Sequence, residues 1–128
     1  MRIRQSEIYK YSIQLKEPFV TSLGLLEHAS NIVVVIRTDN GINGIGESSP
    51  FMTINGESAD TCFIVGQYLA KALKGKDALN IEECSQVMDT VIYGNSSIKS
   101  AFDIALHDIQ LRNLIRARSS AGSLIANH

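Results

Sequence analysis

A glycine-rich segment, residues 41–46, is the first part of the sequence whose residue types could bind a ligand. It reads Gly-Ile-Asn-Gly-Ile-Gly, and glycine loops of this kind bind phosphate when they join a strand to a helix. Here the alternation of a strand continues through the segment to Glu47, and no helix begins at its last glycine. The pattern therefore favours a β-hairpin, whose glycines permit a turn and a close contact between strands.

Asp103 and His107 are the next candidates, because residues four apart on a helix can face one metal ion. Asp108 follows directly after His107. Two ligands do not complete a metal site, and the side chains of Asp103 and Asp108 diverge around the helix. Since no third ligand is indicated by the spacing, we assign no metal ligand in this chain and expect these groups to bind backbone amides or neighbours at an interface.

Glu47 stands at the end of a predicted strand, directly before a Ser-Ser-Pro sequence. A carboxylate there can accept hydrogen bonds from loop amides or contact a substrate, and local anchoring is the main expectation. Nucleophilic catalysis would need a serine, a histidine and an oxyanion donor in a recognisable arrangement. The three histidines are His28, His107 and His128. None of them belongs to such a local pattern, so no catalytic residue is assigned in this chain.

The composition excludes several classes of protein. The 128 residues carry 12 basic and 13 acidic side chains, a net charge of −1, so no basic surface for nucleic acid is expected. A hydrophobic content of 45% suits one domain with one core. The N-terminus lacks a signal peptide, and no apolar run approaches the roughly 18 residues of a membrane span. A cytoplasmic protein without a membrane partner is expected, with Cys62 and Cys84 as reduced core residues.

Three strands are predicted in the first third of the chain. Residues 3–15 alternate in the manner of a half-buried strand, and a loop is expected over residues 16–31. The β-branched run at 32–38 predicts the most secure strand, and after an Asp-Asn-Gly turn residues 42–47 return as its antiparallel partner. The more apolar face of the first strand carries Glu7, Tyr9, Tyr11, Ile13 and Leu15.

Three helices follow, because from Ser58 onward the apolar residues recur with a helical period. The first helix is expected to end at Gly75, a natural left-handed cap. Asn80 and Glu83 form a capping pair for the second. The third has a predicted buried stripe of Ile98, Ala101, Phe102, Ala105, Leu106 and Ile109. The expected fold class is therefore α+β, a three-stranded antiparallel meander followed by a three-helix bundle.

The combination of motifs resembles a known family. It consists of Lys-Glu-Pro-Phe after the first strand, Gly-Ile-Gly-Glu-Ser-Ser-Pro at the end of the hairpin, Phe-Met-Thr-Ile-Asn-Gly-Glu-Ser, and Ser-Ala-Phe-Asp-Ile-Ala-Leu-His-Asp in the third helix. Together they strongly resemble the N-terminal capping domain of the enolase superfamily. The similarity is to the branch of mandelate racemase, muconate-lactonising enzymes and dipeptide epimerases of the L-Ala-D/L-Glu type, and it runs from about Ile3 to Ile109.

This resemblance implies a bacterial isomerase, either a racemase, an epimerase or a cycloisomerase, whose chemistry lies in a TIM barrel that follows the capping domain. In the family the barrel supplies two lysine bases and three carboxylates that hold Mg²⁺, which stabilises an enolate formed by abstraction of a proton next to a carboxylate. Those residues have no counterparts in this sequence. The resemblance therefore implies a dipeptide substrate and magnesium for the full-length family, and a chain that is not catalytic alone.

Two capping-domain loops of the family close over the barrel and help to select the substrate side chain. By position they correspond to residues 19–25 and 50–56. Exposure of their apolar side chains would be costly, and burial against a barrel and a ligand would offset that cost. The alternative is that these side chains fold back onto the sheet. The implied substrate-binding residues are Phe19, Thr21, Ser22, Leu23, Phe51, Met52 and Ile54.

The resemblance ends after Ile109. Residues 110–128 contain arginines but no acidic residue. We therefore expect a capping domain over residues 1–109 and an atypical basic tail over residues 110–128 that continues the helix. No TIM barrel is expected in this chain. A truncated or frame-shifted gene product is one hypothesis for this tail. Exposed apolar surfaces would favour self-association as a homo-oligomer, so an interaction module is the alternative function. An unrelated ligand-binding α+β domain is a third.

Overall fold

A three-stranded antiparallel sheet precedes three helices in the described part of the chain. The computed structural model describes the backbone of residues 1–21, 24–50 and 58–126, and the side chains of residues 1–11, 30–50 and 58–121. The sheet consists of β1 (Ile3–Thr21), β2 (Gly24–Thr38) and β3 (Asn43–Ser48), adjacent in that order. The helices are α1 (Ala59–Leu73), α2 (Ile81–Val91) and α3 (Ser96–Ala126). The predicted α+β meander with three helices is confirmed.

A long β-hairpin replaces the loop that was predicted over residues 16–31. Strand β1 continues to Thr21 and β2 begins at Gly24, with Val20 opposite Leu25. Pro18 lies where the regular pairing is interrupted between Gln14 and Phe19, so its missing N–H removes no regular ladder hydrogen bond. The loop prediction was wrong because proline and glycine often end strands, but here they occupy an irregularity and a strand terminus.

The two faces of the sheet have different surroundings. The inner face carries Ile32, Val34 and Ile36 of β2, which are fully buried at alternate positions. On the outer face Tyr9 and Tyr11 of β1 are 50% and 38% exposed. The more apolar face of the first predicted strand is therefore the exposed one, because the helices pack against the opposite face.

The core lies between the inner face of the sheet and the three helices. Its largest helical contribution is the stripe on α3, and every residue of the predicted stripe is buried. Helices α1 and α2 add Cys62, Val65, Leu69, Leu73, Cys84 and Met88. Both cysteines are buried, as predicted, and burial raises the pKa of the Cys84 thiol to about 11.

Helix α3 lies directly on strand β3, and two glycines make this contact sterically feasible. A Cβ atom on Gly44 would lie 2.1 Å from the carbonyl oxygen of Ala105, and one on Gly46 would lie 1.8 Å from that of Ala101. Any larger residue would push the helix away from the strand. The glycine-rich segment thus forms a β-hairpin that packs against a helix, which confirms the prediction made from its pattern.

The predicted helix ends are also confirmed. Asn80 caps α2, since its Oδ1 accepts a 3.2 Å hydrogen bond from the backbone N–H of Glu83. In return the Glu83 carboxylate accepts a 3.1 Å bond from the Asn80 side-chain amide. Gly75 has a φ of 85° just after α1, the left-handed conformation expected of a C-terminal cap.

Helix α3 continues well beyond the core. From Gln110 to Ala121 every side chain except Asn113 is exposed, although Arg116 donates a 3.0 Å hydrogen bond to the carbonyl oxygen of Asn40. A helical continuation of the basic tail was predicted, and α3 extends through it to Ala126. Across the described ranges, none of the helices combines the length and hydropathy that crossing a membrane requires.

Candidate functional site

The side chains of all the residues predicted to bind substrate lie outside the described side chains. Phe19 and Thr21 are known by their backbone pairing, with Leu26 and Gly24 respectively. These assignments therefore stay predictions, and the described residues next to residues 50–56 define the candidate site. Outside the described residues lie Ser22, Leu23, Phe51, Met52 and Ile54.

Four polar side chains meet where β3 ends and residues 50–56 begin, beside the middle of β1 and β2. Tyr11 belongs to β1, Asn31 to β2 and Glu47 to β3, and Ser49 follows directly after β3. Tyr11 pairs with Asn31 across the sheet, and Glu47 pairs with the neighbouring Val33. We call Tyr11, Asn31, Glu47 and Ser49 the strand-end clasp, because they connect all three strands on the outer face.

Glu47 is the central acceptor of the strand-end clasp. Asn31 Nδ2 donates a 2.7 Å hydrogen bond to Glu47 Oε1, and the Tyr11 hydroxyl donates to the same oxygen. Ser49 Oγ donates a 2.9 Å bond to Asn31 Oδ1. Both the amide nitrogen and the amide oxygen of Asn31 are thus engaged, which fixes the orientation of its side chain.

The clasp also favours the ionised form of Glu47. Hydrogen bonds from Tyr11 and Asn31 hold the pKa of the Glu47 carboxyl below its usual value, because they stabilise the ionised form. An ionised carboxylate with two donors is suited to anchoring strand ends and cannot act as a proton donor at neutral pH. Anchoring was the main expectation for Glu47, but its partners are side chains of β1 and β2 instead of loop amides.

Two further contacts hold the chain on either side of residues 51–57. The hydroxyls of Ser48 and Ser97 are hydrogen-bonded and connect the end of β3 to the first turn of α3. Lys10 of β1 forms an ion pair with Asp60 in the first turn of α1. The end of β3 and the beginning of α1 are therefore both tied to neighbouring elements.

Asp103, His107 and Asp108 do not converge on a common point. His107 Nδ1 lies 2.9 Å from the backbone oxygen of Asp103. Asp108 instead accepts a 2.9 Å bond from the Ile45 N–H of β3 and pairs with Arg112. Asp108 thus binds a backbone amide, as was expected of these groups. Among the residues that the structure describes, no three His, Cys, Asp or Glu side chains are placed to hold a metal ion.

A second polar cluster on the outer face of the sheet was not found from the sequence. Arg37 Nε lies 2.6 Å from Glu7 Oε1, and the Tyr9 hydroxyl donates to the same carboxylate. Hydrogen bonds from Arg37, which has the larger effect, and from Tyr9 lower the pKa of Glu7 from 4.5 to about 2. Glu7 and Tyr9 lie at alternate positions of β1, and Arg37 lies on β2. Only the register between the two strands could therefore have revealed the cluster.

Comparison with known proteins identifies the domain. The family model described as mandelate racemase / muconate lactonizing enzyme, N-terminal domain, matches residues 4–117. The chain is 61% identical over 109 residues to the D-Ala-D/L-Ala epimerase of Cytophaga hutchinsonii, covering 85% of this chain and 30% of that protein. It is 36% identical over 115 residues to the N-succinyl-L-Arg/Lys racemase of Bacillus cereus, covering 89% of this chain and 31% of that protein.

The solved structures agree with these relatives. The dipeptide epimerase of Cytophaga hutchinsonii, complexed with Mg and the dipeptide D-Ala-L-Val, has a TM-score of 0.83 and 60% identity, covering 86% of this chain and 30% of that one. The dipeptide epimerase of Enterococcus faecalis, complexed with Mg and L-Leu-L-Tyr, has a TM-score of 0.83 and 32% identity, with coverage of 89% and 32%. This chain thus spans about 30% of the length of such relatives. It belongs to the mandelate racemase / muconate lactonizing enzyme N-terminal domain family of the enolase superfamily, the N-terminal domain of epimerases and cycloisomerases.

Proposed function

We propose that this chain is the capping domain of a magnesium-dependent isomerase of the dipeptide-epimerase type, and that it is not catalytic alone. The observation that carries the proposal is its 60% identity and TM-score of 0.83 to a dipeptide epimerase complexed with Mg and a dipeptide. Because the chain spans 30% of that relative, the proton-abstracting groups are assigned to the remaining part of such an enzyme.

In this role the two predicted loops would form part of the substrate pocket. The loops over residues 19–25 and 50–56 would contact the dipeptide side chains through the seven substrate-binding residues that the family resemblance implies. A loop can select a substrate only when its ends are held in place, since small displacements weaken a binding site. The strand-end clasp supports the proposal for residues 50–56, because Ser49, directly before them, is joined to Asn31 of β2 by a 2.9 Å hydrogen bond.

Magnesium in such an isomerase would stabilise the negative charge of an enolate. The described residues of this chain do not fit a magnesium site, because Asp108 is engaged by Ile45 and Arg112 while Asp103 contacts His107. The role proposed for this chain's own residues is therefore to orient the substrate and exclude water from it.

A chimeric enzyme tests the capping role. The matched 109-residue region of the Cytophaga hutchinsonii epimerase would be replaced by the corresponding region of this chain, and α-proton exchange of an alanine-containing dipeptide would be measured with Mg²⁺. Exchange well above a blank is expected from the chimera. A folded but inactive chimera would contradict the capping role.

The same assay on the isolated 128-residue chain tests whether it is catalytically silent. No exchange is expected with or without Mg²⁺, because the proton-abstracting groups are assigned to the other part of the enzyme. Turnover that depends on Mg²⁺ would show that the chain itself contains a catalytic site, and the proposal would then fail.

Family membership removes the alternative of an unrelated ligand-binding domain. Self-association remains a second candidate function, since Leu111 and Leu114 on α3 are 57% and 60% exposed and exposed apolar groups favour association. The cytoplasm remains the proposed location, and the burial of Cys62 and Cys84 in the core is compatible with a reducing compartment.

A further inference from the structure

The outward face of α3 carries a row of residues at alternating spacings of three and four, the spacing of a coiled-coil seam. Three of them are large apolar residues: Ile104, Leu111 and Leu114 are 47%, 57% and 60% exposed. A helix with such a face is expected to pack against another helix. We call the row the α3 seam, and it consists of Ile104, His107, Leu111, Leu114 and Arg118.

The second half of the seam belongs to a part of α3 with few tertiary contacts. Residues 110–121 are exposed except for Asn113, and the hydrogen bond from Arg116 to Asn40 is at the surface. The segment continues a helix whose first half is packed in the core, and packing of an apolar face is the main source of helix stability in proteins. A partner that covers the seam would provide that packing.

We propose that the α3 seam is an interface between two copies of this chain, packed as an antiparallel helix pair. In this arrangement Ile104 lies opposite Leu114 of the second copy, and His107 lies opposite Leu111 of the second copy. A two-fold axis repeats the same contacts on its other side, so the interface is closed and self-complementary. This interface goes beyond the capping role and does not depend on it.

The charges on α3 favour the antiparallel direction. Asp103 and Asp108 lie in the first half of the helix, while the part beyond Asp108 carries arginines and no acidic residue. In the antiparallel pair, Arg118 of each copy lies opposite Ser100 of the other, within one helical turn of Asp103. A parallel pair would instead bring the two Arg118 side chains together, so it would place like charges at the end of the seam.

A groove beside the first half of α3 provides room for a second helix. It lies between α2 and α3, has a volume of about 650 Å³, and its lining includes Asp89, Tyr93, Lys99 and Asp103. Tyr93, which lines this groove, is 97% exposed. Asp103 provides the acidic group for Arg118 of the second copy, since Asp89 is paired with Lys99 at 2.9 Å.

Sedimentation equilibrium of the 128-residue chain tests this interface. A reversible monomer–dimer equilibrium is expected, and Leu114→Asp should abolish the dimer because it places a charge in both symmetric apolar contacts. Arg118→Asp and Asp103→Arg should each lower the association constant by about tenfold, since each creates two like-charge contacts. The double variant Asp103→Arg/Arg118→Asp should restore association to the wild-type level.

Arg4→Asp is the matched control, because Arg4 is an exposed arginine on β1, away from the seam, and its reversal should leave association unchanged. Circular dichroism would verify that every variant is folded. A chain that stays monomeric at high concentration would overturn the interface, as would a dimer that Leu114→Asp leaves intact or a double variant no better than the single ones. None of these results would affect the capping role, which the chimera tests separately.

Discussion

The two halves of α3 belong to one continuous helix but have opposite surroundings. In the first half six residues are fully buried, and the backbone lies against Gly44 and Gly46 of β3. In the second half, from Gln110 to Ala121, only Asn113 is not exposed. Helical geometry is therefore the same where packing is dense and where it is sparse, and secondary structure alone does not indicate which part of α3 stabilises the domain.

The contrast has a physical origin in the sequence of each half. Small residues, Ala101 and Ala105, let the first half approach β3 until backbone atoms meet, and large apolar residues fill the space on either side. The second half has its apolar residues on the opposite, outward face, where the described chain offers no partner for them. The first half should thus determine the stability of the folded domain, and the second half should determine its associations.

Phe102→Ala should have the largest effect on stability. Phe102 is completely buried, so its loss removes apolar contacts and leaves a cavity, at a cost of about 4 kcal/mol in the free energy of unfolding. Leu114→Ala, in the exposed half, should change that free energy by less than about 0.5 kcal/mol. Urea unfolding at low protein concentration measures both. Equal losses at the two sites would contradict the assignment of stability to the first half.

Gly46→Ala should be nearly as damaging, although it adds only one carbon. Its Cβ would lie 1.8 Å from the carbonyl oxygen of Ala101, so α3 must move away from β3, at a cost of about 3 kcal/mol. Ala117→Leu adds a larger group to the exposed half and should be tolerated. Thermal unfolding compares the two, and a Gly46→Ala variant as stable as the wild type would mean that α3 is not in direct contact with β3.

Asp108→Ala should have a smaller effect, of about 1 kcal/mol. It removes the 2.9 Å hydrogen bond to the Ile45 N–H and the pairing with Arg112, at the boundary between the two halves of α3. Asp108→Asn should retain most of the stability because its amide oxygen can still accept. Asp103→Ala serves as a control in urea unfolding, and an effect there as large as at Asp108 would show that the contact with β3 is unimportant.

Lowering the pH should destabilise the sheet but not the exposed half of α3. This loss of stability should be the smallest of the four predicted effects. Arg37 and Tyr9 lower the pKa of Glu7 from 4.5 to about 2, so the stability that Glu7 contributes is complete above about pH 4.5 and is lost as the pH falls toward about 2. Glu7→Gln should show a shallower acid loss. Hydrogen exchange would measure the effect, with the amides of residues 110–121 as the control, because this segment contains no carboxylates. An equal response to acid in the sheet and in residues 110–121 would contradict this account.

Much of the fold could be predicted from the sequence, while the candidate site could be predicted only in part. The strand over residues 32–38, the hairpin after it and the buried stripe of α3 all follow from local patterns and are confirmed. The loop over residues 16–31 was wrong, because hydrogen bonding between β1 and β2 outweighs the local effects of Pro18 and Gly24. Glu47 was identified as an anchor, but its partners were not.

The sequence by itself determined the period of each element, its caps and the family resemblance, because these depend on residues that are close together in the chain. Only the tertiary structure decided that Tyr11, Asn31 and Glu47 share one hydrogen-bonded cluster and that Arg37 meets Glu7. Strand register and helix docking set those contacts, and both depend on the packing of residues far apart in the sequence. The same packing divides α3 into a buried half and an exposed half at Ile109, although the helix continues without interruption.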